Sequence, residues 1–429
     1  MKYLPIENSL FKLNRESFIK HLKSNSIAVF NSNDVMPTSA DGVMPFKQQT
    51  DIFYLSGIDQ EESILLLYPN AHEEKHRVVL FLRKTNEEIA IWEGHKYTKE
   101  EARLASGIQS VYWLSEFEST FRSLMAQTEF LYLNSNEHLR TSEEVETRDS
   151  RMIRWCKEKY PLHKYERLQP LMHQVRAIKS EMEIDLIRRA VDITGFGFKR
   201  LLSFVKPGVM EYEIEAELIH EFLTNRATGF AFHPIIASGA SATVLHYIEN
   251  NKKCKNGDML LCDIGADYAN FNGDLTRCIP VNGLFSQRQK DVYNAVLRVQ
   301  KEAKKLLTPG NVIPDYNKEV GKIMESELLG LGLLDKTDIK NQDPDKPAYK
   351  KYFMHGTSHH LGLDVHDYGN MYREFETGMV LTIEPGIYIR EEGLGIRIEN
   401  DVVIRYNGVE DLMDDIPVEV EEIEELMNN

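Results

Sequence analysis

Asp263 closes the apolar run MLLCD, and Glu384 closes the run MVLTIE. A carboxylate in such a run is costly to bury without a partner. Taken singly, each is accounted for by a salt bridge or a turn. Each has a companion, however. Asp274 follows Asp263 and Glu399 follows Glu384, across turns able to fold one strand back on the other so that both carboxylates face one point. Four converging carboxylates repel one another strongly, and divalent cations are the natural neutraliser. Between the pairs lies MHGTSHHLGLDVHD, residues 354–367, which holds four of the chain's 14 histidines. His355 and His359 share one face in either a strand or a helix, and His360 points elsewhere if the segment is extended. Four carboxylates and one imidazole form a hard, oxygen-rich shell, which favours manganese, cobalt or iron over a thiolate-type structural zinc. Two cations bridged by carboxylates and a water are the arrangement such a set supports.

A second motif competes for attention. NAHEEKHRVV, residues 70–79, contains a literal H-E-x-x-H. On a helix, His72 and His76 would share a face, bind zinc and present Glu73 as a base. The flanks argue otherwise. SILLLYP ends in Pro69, and RVVLFL after the motif is rich in β-branched residues. Two such runs around a short polar segment read as strands joined by a loop.

The elements that must position the acidic pairs belong to a chain of 429 residues, long enough for two or three domains with a substantial core. Hydrophobic residues at 42% and charged residues at 28% make an ordinary globular balance. The net charge of −16 argues against nucleic acid as a partner. Four cysteines, Cys156, Cys254, Cys262 and Cys278, form no C-x-x-C pair, so no disulfide framework and a cytoplasmic location are expected. The start MKYLPIENSLFKLNRESF lacks the apolar core of a signal peptide, and no run reaches the ~20 apolar residues of a membrane span. The acidic end VEVEEIEELMNN reads as a solvated last helix.

Up to about residue 175, SIAVFNS, DIFYLSGI, SILLLYP, RVVLFLR and EIAIW look like strands, with helical pattern around Arg15–Ser24 and Lys99–Ser106. The pattern then changes. IKSEMEIDLIRRAVDITGFGFKRLLSFV is a long amphipathic helix, with Ser180 and Glu183 as a capping box and Lys206-Pro207-Gly208 as its stop. The domain boundary is placed there, giving domains 1–175 and 176–429.

The second domain carries a weak internal repeat. KPGVMEYEIEAELI (206–219) is answered by TPGNVIPDYNKEVGKI (308–323), and NGDMLLCDIGADY (256–268) by TGMVLTIEPGIYI (377–389). Gly257 falls on Gly378, Asp263 on Glu384 and Gly265 on Gly386; GDLTR (273–277) is loosely answered by GIRIE (395–399). Such repeats predict two halves related by approximate two-fold symmetry, each with helices backing a curved antiparallel sheet.

LLCDIGADYANFNGDLTRCIPV, MHGTSHHLGLDVHDYG, LTIEPGIYI and GIRIEND closely resemble the motifs of aminopeptidase P, the Xaa-Pro aminopeptidases of the pita-bread metallopeptidase family. PFKQQTDIFYLSGI and IWEG resemble that family's amino-terminal domain, so the resemblance spans nearly the whole chain. It implies an α+β fold. A C-terminal pita-bread domain, like those of creatinase and methionine aminopeptidase, would follow an α/β N-terminal domain. It implies that Asp263, Asp274, His359, Glu384 and Glu399 bind two divalent ions, most readily Mn2+, with Co2+, Fe2+ or Zn2+ as alternatives. Asp274 and Glu399 would bridge the ions, and Glu384 would also handle the proton of a bridging water or hydroxide. His246 resembles the histidine near the substrate amine, His366 the one at the reacting carbonyl, and His355 and Arg397 the pair around the proline pocket and the metals. Phe271 stands where the family commonly has tyrosine, and His360 where it has an aromatic such as tryptophan; neither is a ligand position. The linker REEGLG (390–395) is short.

The resemblance implies hydrolysis of the N-terminal Xaa-Pro bond of peptides and a dimer or tetramer of this chain; the lack of a long apolar run implies no membrane partner. In an oligomer Trp92 could reach a neighbour's site, although its sequence context reads as a core residue. Prolidase, which cuts Xaa-Pro dipeptides, shares the ligand set; its usual segment resembles GxGH where this chain has TSHH. Some pita-bread proteins have lost the metals and act as binding modules, but all five ligand types are present here.

Overall fold

The computed structural model of the protein describes residues 2–138, 141 and 144–429. The chain packs as two compact units, Tyr3–Arg176 and Ala177–Asn429.

In chain order the first unit contains α1 (Asn8–Ile19), β1 (Ser26–Asn31), α2 (Thr50–Ser56), β2 (Ile64–Leu67), β3 (Val78–Leu82), α3 (Glu87–Glu93), α4 (Lys99–Ser106), β4 (Ser110–Trp113), α5 (Phe117–Met125), β5 (Phe130–Leu133), α6 (Arg148–Lys159), β6 (Lys164–Arg167) and α7 (Gln169–Ala177). Its six-stranded sheet has the order β4-β3-β2-β1-β5-β6. β2 pairs antiparallel with both β1 and β3, and the other neighbours run parallel. Every residue of β1 and β2 is buried, as expected for strands covered on both faces.

The antiparallel β2–β3 pair settles the H-E-x-x-H motif. His72 to His76 lie in the connecting loop, which carries one 3-10 turn at Glu74–His76 with no buried residue. The two imidazoles have no common helical face. His72→Ala and His76→Ala should therefore leave metal content unchanged, and the exposed His72 should shift stability by no more than ~0.5 kcal/mol, the range of ordinary surface substitutions. Elemental analysis of the two variants checks this; a large loss of metal in either would restore the zinc reading.

Three local expectations are corrected. DIFYLSGI is not a strand: its first six residues lie in α2, where all seven residues are buried. A helix buried all round has no amphipathic pattern to read. Its ends are set instead by Gln49, whose side chain accepts from the Asp51 and Ile52 N–H groups, and by Gly57 at φ 67°. EIAIW is also helical, in α3, capped by Asn86 and ended by Gly94 at φ 77°. No residue of α3 is buried, and Trp92 is 85% exposed rather than a core residue. The helix expected at Arg15–Ser24 starts earlier and ends earlier, at Asn8–Ile19, with Leu10, Phe11 and Phe18 as its buried apolar edge. Lys99–Ser106 is helical as read, with Thr98 and Glu101 forming a capping box.

The second unit opens with α8 (Glu181–Phe204) and α9 (Glu211–Thr224), then β7 (Gly229–Phe230), β8 (Ile235–Ser238), β9 (Met259–Ile264), β10 (Ala266–Tyr268), β11 (Phe271–Asn272) and β12 (Leu275–Pro280). It continues with α10 (Gln287–Leu306), α11 (Ile313–Gly330), α12 (Lys336–Lys340), β13 (Val380–Ile383), β14 (Gly386–Ile389), β15 (Leu394–Arg397), β16 (Asn400–Arg405), β17 (Gly408–Asp411) and α13 (Val420–Asn428). α8 begins at the Ser180–Glu183 capping box, and Ile184, Ile187, Val191, Phe198 and Leu201 line its buried face. Gly197 lets α9 approach closely, since a Cβ there would lie 2.7 Å from the Phe222 ring. The acidic C-terminal helix α13 is solvated on one side only; Val420 and Ile423 are buried.

The repeat is visible in the backbone. Gly208 and Gly310 both take positive φ, 101° and 89°, ahead of α9 and α11, and Gly257 and Gly378 do the same at 86° and 93° ahead of β9 and β13. β9 lies between β12 and β8, and β16 between β13 and β17, all antiparallel. The strand register corrects the loose match of GDLTR with GIRIE. Asp263 pairs with Thr276, and Ile383 pairs with Asn400, which brings Glu399 next to Glu384. Glu399 therefore corresponds to Thr276, whereas Asp274 enters from further out on its turn. Among the described residues, no helix is long and apolar enough to cross a membrane.

Candidate metal centre

The ends of these strands bring the acidic pairs together. Asp263 is the fifth residue of β9, Asp274 immediately precedes β12, Glu384 immediately follows β13, and Glu399 immediately precedes β16. Glu399 N–H donates to the Thr276 carbonyl at 3.0 Å and joins the two halves at this point, and within the second half Glu384 N–H donates to the Thr357 carbonyl at 2.9 Å. The segment after Thr357 is extended. His359 pairs with Thr382 of β13: its carbonyl accepts from Thr382 N–H at 3.0 Å, and its N–H donates to Thr382 Oγ1 at 3.3 Å. That pairing turns the His359 ring onto the acids, with Nε2 3.5 Å from Asp274 Oδ2 and 3.7 Å from Glu384 Oε1. Asp274, His359 and Glu399 each offer a ligand atom, all within 4.8 Å of one another.

The electrostatics of the cluster are those of acids without enough positive charge. Burial pushes the Glu384 carboxyl up to about 7, with Asp274 and Asp263 adding to the rise. Burial likewise pushes Asp263 up to about 6, although Arg397 pulls the other way. Glu399 is raised well above the usual carboxylate range by burial first, then by Asp274 and Glu384. For His359, burial disfavours the charged ring, but Asp274 and Glu384 outweigh it and raise its pKa. Asp263 Oδ1 is buried with no hydrogen-bond partner. Divalent cations fit this set: they would replace the protons that the acids otherwise retain and would give the orphaned oxygen a partner.

One hydrogen-bonded chain leads away from the acids. Arg397 Nη2 donates to Asp263 Oδ2 at 2.6 Å, and Arg397 Nη1 donates to Tyr388 Oη at 2.8 Å. Tyr388 Oη lies 2.8 Å from His355 Nε2, and His355 Nδ1 lies 2.7 Å from the Gly356 carbonyl. Nδ1 must donate to that carbonyl, so Nε2 accepts from the tyrosine. Burial first, and the Arg397 charge second, push His355 down to about 3, so the ring is neutral. His355 Nδ1 is also 3.6 Å from Glu384 Oε2. His366 is exposed, and its ring centroid stands 4.5 Å from that of His359 at 75°. His246, on an exposed turn, is close enough for its charge to lower the His355 pKa. His360 turns away from the acids: it bridges to Leu381, is 5% exposed, and its ring packs on Gly369.

Three residues of the site carry no sequence signal as strong as the acids. Tyr388 joins Arg397 to His355 from within the apolar strand GIYI. Thr276 Oγ1 donates to Glu399 Oε2 at 2.7 Å and accepts from Arg397 Nε at 3.1 Å. Asp401, fully buried, accepts the Asp274 N–H at 2.8 Å. A tyrosine four residues after Glu384 in a strand with only apolar and glycine neighbours was the one available hint.

Residues 185–406 match the model of metallopeptidase family M24, and residues 11–132 match that of the aminopeptidase P N-terminal domain. The chain is 34% identical to a Xaa-Pro aminopeptidase of Haemophilus influenzae, over 100% of this chain and 99% of the relative. It is 34% identical to the Xaa-Pro aminopeptidase of Escherichia coli over 98% of each. A zinc-substituted E. coli aminopeptidase P solved with product superposes with a TM-score of 0.88, at 32% identity and 99% coverage of both chains.

Proposed function

This chain belongs to metallopeptidase family M24, as a metal-dependent Xaa-Pro aminopeptidase, and on that premise we propose how its residues carry out hydrolysis. The observation that carries the reading is the convergence of Asp274, His359 and Glu399 on one point, with Glu384 and Asp263 beside them. Asp263, Asp274, His359, Glu384 and Glu399 would hold two divalent ions, with Asp274 and Glu399 as the carboxylates shared by the site. The oxygen-rich donor set favours manganese. The ions supply a water whose pKa is lowered from ~15.7 towards neutrality, together with charge to polarise a carbonyl.

The chain's own groups do the rest. Glu384 accepts the proton of the attacking water and passes it to the departing imino nitrogen; its raised pKa suits a group that trades protons near neutral pH. His366, exposed beside His359, donates to the oxyanion that develops on the substrate carbonyl. His355, held neutral and oriented through Tyr388 and Arg397, forms a wall of the proline pocket. His246 lies nearby to meet the substrate amine. The Xaa-Pro nitrogen carries no N–H, so recognition must come from the ring rather than from an amide hydrogen bond.

Residues 1–175 form the aminopeptidase P-type domain and residues 176–429 the catalytic domain, supported by the family matches within each. We place the enzyme in the cytoplasm, supported by four free, buried cysteines. It assembles as a dimer or tetramer. Ile91 and Trp92, 79% and 85% exposed on a helix with no buried residue, support α3 as a contact with another copy.

The substrate test is product identity by mass spectrometry. Xaa-Pro-Yaa peptides should release one amino acid, and acetylating the amino terminus should block release. Replacing proline by alanine should slow cleavage by roughly 10–200-fold, the worth of filling or emptying an apolar pocket. Efficient cleavage of Xaa-Pro dipeptides with none of tripeptides would make the enzyme a prolidase instead.

A further inference from the structure

Behind His359 and His366 lies a buried ion pair that the reaction above does not use. Lys179 Nζ stands 3.1 Å from Asp367 Oδ2, with the two side chains 1% and 2% exposed. Burying two charges is costly, and such a pair often stabilises a fold no more than apolar side chains of the same volume would. Its position gives it a different use. Asp367 directly follows His366, and its N–H donates to the His360 carbonyl at 2.9 Å. The same carbonyl lies 3.0 Å from His359 Nδ1. The Asp367 carboxylate rests on the Gly362 backbone, where a Cβ would come within 2.1 Å of Oδ2. Lys179 belongs to the scaffold. It precedes the Ser180 cap of α8, and its N–H donates to the Gly378 carbonyl at 2.9 Å, ahead of β13.

We propose that the Lys179–Asp367 ion pair is a positioning device for the metal centre: it holds the 359–367 loop closed, so that the His360 carbonyl keeps the His359 proton on Nδ1 and leaves Nε2 open to a cation. The inference rests on the reading of His359 as a ligand. A neutral imidazole carries one proton, and the partner of one nitrogen decides what the other can do. Here Nε2 is the atom that faces Asp274 and Glu384. The His360 carbonyl points at Nδ1 only while the Asp367 N–H holds the loop across from it. His366 precedes Asp367 in the chain, so the same clamp fixes the second ring beside the first. The pair acts through the loop rather than on the substrate.

The test compares the parent with Lys179→Met, the double variant Lys179→Met/Asp367→Ala and His359→Ala, all prepared metal-free. Mn2+ affinity is read by competition with a chelating dye, and the His359 tautomer by side-chain 15N NMR at a pH above the end of that ring's own titration. The parent should show His359 protonated on Nδ1. Lys179→Met should bind Mn2+ about 10–100-fold more weakly, the usual effect of losing a ligand's supporting partner, and should show mixed tautomers. The double variant removes the Asp367 carboxylate along with the lysine and should bind Mn2+ as weakly as Lys179→Met. A parent His359 protonated on Nε2 overturns the proposal, and this needs no variant to fold. So does a double variant that binds Mn2+ within about threefold of the parent, below the effect expected of a supporting partner. If that happens while His359→Ala loses affinity, only the positioning inference fails. If His359→Ala itself binds like the parent, the ligand reading fails and takes the inference with it.

Discussion

Glu384→Gln should keep its metal and lose roughly 10³-fold or more in kcat, equivalent to about 4 kcal/mol of barrier. Glutamine preserves the shape of the side chain and one oxygen able to coordinate. It cannot accept a proton. Glu384 sits where that loss matters most, with Oε1 3.7 Å from His359 Nε2 and Oε2 3.6 Å from His355 Nδ1. Burial pushes its carboxyl up to about 7, into the range where a group exchanges protons with both reactant and product. KM should change little, because the contact removed is made chiefly in the transition state. The check is kcat alongside metal content in one reconstituted sample. A metal-loaded Glu384→Gln that stays within tenfold of the parent would assign the proton to another residue.

Asp274→Ala should fail in the opposite way, losing metal and activity together. Asp274 offers one of three candidate ligand atoms gathered within 4.8 Å, and its main-chain N–H is held by the buried Asp401 carboxylate. The loop cannot move in to replace the missing oxygen. Removing a supporting partner of a ligand already costs 10–100-fold in metal affinity, so loss of Asp274, if it ligates as proposed, should cost at least ~100-fold. The parent should bind two divalent ions per chain by elemental analysis, and chelation should abolish its activity reversibly. An Asp274→Ala protein that retains the full complement of metal would remove Asp274 from the centre. Together the two variants separate holding the ions from moving the proton.

The sequence by itself determined the elements whose signals are local. The Ser180–Glu183 box starts α8, and the Lys206-Pro207-Gly208 stop follows its end. The Pro69 and β-branched flanks make the H-E-x-x-H segment a loop. Matched Pro-Gly turns and carboxylates at strand ends marked the two halves and the acidic pairs, because a carboxylate in an apolar run stands out wherever it occurs. The short runs DIFYLSGI and EIAIW were misread because so few residues fit either period, and the deciding groups, the Gln49 and Asn86 caps, lie just outside them.

The resemblance already singled out His359, but only the tertiary structure decided how each histidine sits against the acids. His355, His359, His360 and His366 are equivalent as letters. The main-chain pairing of His359 with Thr382 turns one ring inwards, while burial against Gly369 takes His360 elsewhere. The links Arg397–Asp263 and Lys179–Asp367 join residues far apart in the chain, and Tyr388 enters the site only because Arg397 and His355 both reach it. Capping and periodicity act over a turn or two of backbone and leave their mark in neighbouring letters. The charge balance of a buried site is a sum over distances in space, and those distances exist only after the strands have paired.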